Sequence, residues 1–158
     1  MATRTASPQD AGAITALTNL AYRVEAFFIR GDRVSEAEVE ARMDVTGAAF
    51  LVVDGASPGE LCGSVFVELR GDRGYFGLLS VHPDRQGTGL GRLLVEAAEA
   101  HFRTAGCREV VIDVVNLRTE LPAFYARFGY EPAGTIPFPA PAKLTQPVHL
   151  LVMRKTLA

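Results

Sequence analysis

Three glycines at alternate positions, Gly87, Gly89 and Gly91, stand between a strand-like run ending at Val81 and the strongest helical pattern of the chain. Leu90, Leu93, Leu94, Ala97, Ala98, His101 and Phe102 recur on one face of that helix, and Gly106 stops it where a left-handed cap is usual. The missing Cβ atoms let backbone approach a ligand closely, and a helix start adds unpaired N–H donors and the positive end of a dipole. A strand-to-helix corner of this kind suits phosphate or pyrophosphate. Two familiar phosphate loops do not fit it. A dinucleotide fingerprint needs a glycine three positions after Gly89, where Arg92 stands. A P-loop needs glycine-lysine followed by serine or threonine, a run the chain lacks.

The segments around this corner alternate in type. Arg4–Ala6 reads as an edge strand, and Ser7-Pro8-Gln9-Asp10 is a helix-start signature followed by Ile14, Leu17, Leu20, Ala21 and Val24 at helical spacing. Gly31-Asp32 breaks this helix, and Ser35 with Glu38 opens a second one to about Met43. Phe50–Asp54, Leu61–Leu69 and Tyr75–Val81 then read as three strands of an antiparallel meander. After the glycine-flanked helix, Val110–Val115 reads as a continuous apolar strand of the fully buried kind. Thr119–Phe128 is a short helix ended by Gly129. A proline-rich loop, Pro137 to Pro147, separates two last strands near Tyr130–Ile136 and Val148–Lys155. The order βααβββαβαββ predicts an α+β fold: a mixed, mostly antiparallel sheet with helices on its faces.

Composition bounds the function. The 158 residues, 48% hydrophobic and 22% charged, match a soluble globular chain and exclude disordered, collagen-like and coiled-coil classes. No repeat or linker interrupts them, so one domain spanning 1–158 is expected. Sixteen basic against 18 acidic side chains argue against bulk nucleic-acid binding. Cys62 and Cys107 form no CxxC pair and have no histidine at ligand spacing, which predicts buried reduced thiols and no metal site. The longest apolar run, Ala48–Val53, is far short of the ~20 residues of a membrane span. No apolar stretch follows Met1–Thr5, so no secretory signal and a cytoplasmic location are expected.

The run Gln86-Gly87-Thr88-Gly89-Leu90-Gly91 resembles the Gln/Arg-x-x-Gly-x-Gly/Ala motif of the GNAT superfamily of acyl-CoA-dependent N-acyltransferases. Its lead-in Leu79-Ser80-Val81-His82-Pro83 is similar to the same family motif. Downstream, Asn116, Phe124-Tyr125 and Phe128-Gly129-Tyr130 resemble a second motif of that family. The resemblance implies acetyl-CoA as co-substrate, with its pyrophosphate on Gln86, Gly87, Thr88, Gly89, Leu90, Gly91 and Arg92. It implies that the strand carrying Leu79, Ser80 and Val81 splays apart from Val110–Val115 to admit acetyl-CoA, that backbone at Leu79, Ser80 and Val81 pairs with the pantetheine arm and thioester, and that Asn116 bonds the pantetheine side. A homodimer is an expectation at the level of the family. Tyr125 would contact CoA and protonate the departing thiolate.

Many family members carry a basic carboxylate on the fourth strand, and Tyr75–Val81 has none. Glu25 on the first helix and Glu120 before the second motif are the candidate bases. A base acting through ordered water, or an acceptor bound already neutral, fits the chain equally. His82, His101 and His149 are read as structural. Tyr22, Arg23, Glu25, Phe27, Phe28, Arg30, Phe138 and His149 are candidates for lining an acceptor pocket. The expected activity is acetyl transfer to a primary amine of a small molecule or peptide by direct attack in a ternary complex. A catalytically weak acyl-CoA-binding sensor or interaction module is the alternative.

Overall fold

The computed structural model describes residues 1–157. Its strands are β1 (Arg4–Thr5), β2 (Ala48–Asp54), β3 (Leu61–Arg70), β4 (Arg73–Val81), β5 (Glu109–Val115), β6 (Glu131–Pro137) and β7 (His149–Thr156). Its helices are α1 (Ala11–Ala21), α2 (Glu36–Met43), α3 (Leu90–Thr104) and α4 (Glu120–Ala126). The chain order is the one the sequence predicts. The strands form one sheet in the order β1-β2-β3-β4-β5-β7-β6, in which β4 and β5 run parallel and every other neighbouring pair antiparallel.

The first two helix starts have local causes. Arg4 holds Asp10 at 2.9 Å and Asp54 at 3.0 Å, fastening the edge strand to the turn before α1. At α2 the Glu38 N–H donates to Ser35 Oγ at 3.1 Å and the Ser35 N–H donates to Glu38 Oε1 at 3.3 Å, a reciprocal capping box. The first helix ends sooner than its apolar spacing predicts. Regular α-helix stops at Ala21 and the chain tightens into a 3-10 turn over Tyr22–Glu25.

Two apolar layers sandwich the sheet. Leu90, Leu94, Ala98 and Phe102 of α3 pack with Val65, Phe76, Ile112 and Tyr125 on one side. Ile14 and Leu17 of α1 and Val39 of α2 pack with Phe50, Phe66 and Leu78 on the other. A smaller cluster of Phe28, Ile29, Val115, Phe138 and Leu150 seals the end where β5 finishes. There the proline-rich loop is sewn to the segment after α1, with the Arg30 N–H on Lys143 O at 2.8 Å and the Thr145 N–H on Phe28 O at 2.9 Å.

The expectation of a fully apolar fifth strand is corrected. Val110, Ile112 and Val114 are buried on the α3 side, while Asp113 stands half-buried in the middle of the run. A single acid inside a strand of valines is not silent: its alternation turns it toward the α1 side.

Candidate active site

The sheet splits at β4. Leu78 adopts φ +50°, and the β3–β4 register passes from Phe66↔Gly77 to Ser64↔Ser80, so one extra residue sits on β4. Such a bulge reverses which side chains face which layer. Phe76 packs on the α3 side before it, Leu78 on the α1 side within it, and Leu79 and Val81 on the α3 side after it. Parallel pairing with β5 covers only Arg73–Tyr75 against Glu109–Val111. Beyond Val111, β5 stays paired with β7, from Ile112↔Met153 to Val115↔Leu150. The result is a V-shaped gap whose walls are the facing edges of β4, at Leu79, Ser80 and Val81, and of β5, each strand being paired only on its far side.

At the open end of the V lies the glycine corner. The Asp84 N–H donates to His82 Nδ1 at 3.1 Å, so His82 caps the turn that leads in, a structural role. Gly87 and Gly89 have φ of +78° and +84°, and a Cβ on either would meet nothing within 4 Å. Their backbone therefore faces open space in a conformation that side chains disfavour. Gly91 differs. A Cβ there would lie 3.2 Å from the Phe124 ring, so this glycine lets α3 and α4 approach. Leu93 is the first helical amide with a carbonyl partner, Gly89 O at 3.0 Å, which leaves the amides of Leu90, Gly91 and Arg92 as free donors among the described residues. The Arg92 guanidinium, 5.1 Å over the Phe128 ring, adds positive charge beside them.

Near the closed end of the V, on the α1 side, a cavity of about 140 Å³ borders Gly77, Leu78, Leu79 and Ile112–Val115. Its polar lining comes from Tyr22, Glu25, Arg33, Arg42, Tyr75, Asp113 and Tyr125, and Phe138 and Pro139 of the proline-rich loop cover it. Tyr125 belongs to the α3-side core and reaches the cavity through the split. Its ring packs on Phe124 at 5.0 Å, Phe76 at 5.9 Å and Tyr130 at 6.1 Å between centroids. Burial pushes the Tyr125 phenol well above the ordinary tyrosine range, so it holds its proton at neutral pH. Burial likewise lifts Tyr22 to about 12, against the opposing charge of Arg33.

The acids of the site are in different situations. Glu25 is 2% exposed and ion-paired, with Arg118 Nη1 at 3.1 Å and Arg33 Nε at 3.7 Å; burial raises its pKa and both arginines oppose the rise. Glu120 stands outside the cavity, its side chain 61% exposed and held by Arg118 Nε at 3.0 Å. Asp113 accepts a long hydrogen bond from Tyr75 Oη at 3.4 Å. Burial raises the Asp113 pKa, with the Tyr75 hydrogen bond and the charges of Arg70, Arg33 and Arg42 opposing.

Of the other expected residues, Asn116 is locked to β7. Its N–H donates to His149 O and its Oδ1 accepts from the His149 N–H, both at 3.0 Å, which leaves Nδ2 as the group free to meet a ligand. Arg23 lines a neighbouring hollow with Asn19 and Arg33, and Phe28 is buried in the small end cluster. Phe27, Arg30 and the His149 side chain are exposed and line neither. Sequence reasoning missed Asp113, Tyr75, Arg33 and Arg42. For Asp113 a signal existed: a lone acid in an apolar strand needs a polar neighbour or a cavity.

The site is thus a split parallel strand pair with a donor-rich glycine corner at its mouth and a polar cavity at its apex. The description "Acetyltransferase (GNAT) domain" matches residues 46–132, just over half of the chain, and the chain belongs to that family. Over 87 residues it is 37% identical to the aminoglycoside N(6')-acetyltransferase type 1 of Stenotrophomonas maltophilia, covering 49% of this chain and 56% of that protein. The chain thus spans about half the length of this curated relative. In fold it is similar to the ribosomal-protein-S18-alanine N-acetyltransferase of Escherichia coli, with TM-score 0.76 and 15% identity over 99% of this chain and 93% of that one. It is also similar to YncA of Salmonella typhimurium, solved with its cofactor acetyl-CoA, with TM-score 0.75 and 22% identity over 99% and 93% of the two chains.

Proposed function

We propose that this protein transfers the acetyl group of acetyl-CoA to a primary amine of a small molecule or peptide, by direct attack while both are bound. The observation that carries this reading is the cavity at the apex of the split, into which Tyr125 reaches from the opposite face of the sheet. The residues present fit acetyl-CoA. Unpartnered amides at the corner, open space above Gly87 and Gly89, and unpaired strand edges are what a pyrophosphate with an extended amide-bearing arm requires.

In this reading the amides of Gln86 through Arg92 hold the pyrophosphate, and the β4 backbone at Leu79, Ser80 and Val81 pairs with the arm. Asn116 Nδ2 bonds the arm from β5. Tyr125 Oη donates its proton, or a strong hydrogen bond, to the sulfur as the carbon–sulfur bond breaks. Acetyl-CoA supplies an activated acyl group; the chain supplies orientation, a water-poor apex and the proton inventory.

The test is thiol release from acetyl-CoA with a panel of polyamines, aminoglycosides, amino acids and peptides, alongside calorimetry of acetyl-CoA binding. Amine-dependent release with N-acetylated product is the expected result. Tight binding without turnover of any amine would make the protein a CoA-binding module instead.

A further inference from the structure

We propose that Asp113 takes the proton from the acceptor's ammonium and thereby fixes the amine at the apex of the split. The inference rests on the acetyl-transfer reading and adds to it the base that the fourth strand lacks.

Placement comes first. The β4–β5 register ends at Tyr75↔Val111; two steps further, Gly77 and Asp113 would have faced each other had the ladder continued. The split parts them, and Tyr75 spans the distance. Its hydroxyl lies 2.7 Å from where a Gly77 Cβ would stand and 3.4 Å from Asp113 Oδ1. The carboxylate therefore sits at the closed end of the V, on the cavity side. A thioester laid along Val81, Ser80 and Leu79 from the glycine corner has its acyl end at this same point.

Chemistry selects Asp113 over the other acids. The charge of Glu25 is already offset by Arg118, which hydrogen-bonds its Oε2, and by Arg33 at 3.7 Å from its otherwise unbonded Oε1, and Glu120 lies outside. Asp113 forms no ion pair within 4.0 Å among the described residues, and its one side-chain hydrogen bond is long. A half-buried carboxylate with spare lone pairs is a place for an ammonium. The groups facing it are Tyr75 of β4, Arg70 of β3, Arg42 of α2, Arg33 before α2, Tyr22 after α1 and Tyr125 of α4. Desolvation makes the carboxylate a better base than a surface aspartate, and the charges of the arginines oppose that rise.

The protons balance. Asp113 removes one proton from R–NH3⁺ and passes it to solvent, and the freed nitrogen lone pair forms the C–N bond as the C–S bond breaks. Tyr125 gives a proton to sulfur and is replenished by the second proton the nitrogen sheds on becoming an amide. One ammonium and one thioester yield one amide, one thiol and one released proton.

The experiment follows kcat/KM for the best amine from the panel against pH, in wild type, Asp113→Asn and Tyr75→Phe, with acetyl-CoA affinity measured for each. Wild type should show a plateau bounded by an acid limb. Asp113→Asn should bind acetyl-CoA normally, fall about 100-fold near pH 7 and regain rate tenfold per pH unit, following the free amine. Tyr75→Phe removes a donor to the carboxylate and should move the acid limb to higher pH. That variant decides the matter if Asp113→Asn does not fold, since an unmoved limb overturns the proposal. An Asp113→Asn profile superimposed on wild type overturns the proposal and leaves acetyl transfer standing. Failure of wild type to turn over any amine sinks both.

Discussion

The Tyr130 hydroxyl donates to Glu99 Oε2 at 2.9 Å, joining the residue before β6 to the buried face of α3. Lys155 Nζ reaches the other oxygen of Glu99 at 2.8 Å, so a carboxylate only 5% exposed is partnered on both sides. The same Tyr130 ring stands perpendicular to Phe76 at 5.9 Å and packs on Tyr125 at 6.1 Å. A charged network in the α3 layer thus buttresses the ring that enters the split.

Tyr130→Phe keeps the ring and removes the donor. A hydrogen bond to a buried charged group is worth about 1.5–3 kcal/mol, and Glu99 would lose one of its partners without replacement. Urea denaturation should show a loss in that range with little change in m. A loss below about 0.5 kcal/mol would mean that Lys155, with Arg103 at 3.5 Å, satisfies Glu99 without the phenol.

Gly89 and Gly59 have nearly the same backbone, φ +84° and +80°, and in both a Cβ would meet nothing within 4 Å. Valine at either position imposes the same left-handed strain, about 1–2 kcal/mol. The difference is place: Gly89 opens α3, Gly59 lies in the β2–β3 turn. Gly89→Val should abolish acetyl-CoA binding by calorimetry and Gly59→Val should leave it unchanged. Equal affinities in the two variants would remove the pyrophosphate site from the glycine corner.

Asp10 is held at about 2 by the Arg4 guanidinium, below its usual 3.8. A lowered carboxyl stabilises the fold above its unfolded pKa and loses that contribution as pH falls toward 2. Arg4 is 41% exposed on its side chain, so the gain is that of a surface pair, about 0.5–1 kcal/mol at low salt. Asp10→Asn should therefore lower stability at pH 7, and the gap from wild type should close between pH 4 and 2. A gap that persists at pH 2 would assign the effect to the turn rather than to the charge.

The element order was legible because each stretch carries its own period: 3.6 in Leu90–Phe102, 2 in Leu61–Leu69, caps at Ser35 and Gly106. The glycine corner and Tyr125 were legible as a motif. The split was legible only through the family resemblance and not in the residues themselves, because it depends on one leucine, Leu78, at positive φ, and nothing local in Gly-Leu-Leu-Ser marks it. Asp113 was lost for a different reason: it was read as part of an apolar run, and only the alternation of β5 against a cavity gives it a role. Arg33 and Arg42 come from around a helix whose orientation is set by Phe50, Phe66 and Leu78, residues far from it in sequence. Gly91 was grouped with the glycines expected to hold a pyrophosphate, and the Phe124 ring 3.2 Å from its missing Cβ gives it a packing role.

Tyr125→Phe separates chemistry from packing. The ring contacts with Phe124, Phe76 and Tyr130 remain, so fold and acetyl-CoA affinity should be almost unchanged. General acid catalysis contributes about 10²–10⁴-fold, and a thiolate of pKa near ~8.5 is a tolerable leaving group, which places the loss at the low end. Single-turnover acetyl transfer should fall about 10²-fold, even where slow product release conceals the defect in kcat. Because burial holds the phenol above the ordinary range, wild type should show no alkaline limb from Tyr125 below pH ~10. A phenylalanine variant with the wild-type single-turnover rate would reduce Tyr125 to a packing residue. The sulfur would then take its proton from water or from the attacking nitrogen, and of the proposed proton transfers only the one through Asp113 would be left to this chain.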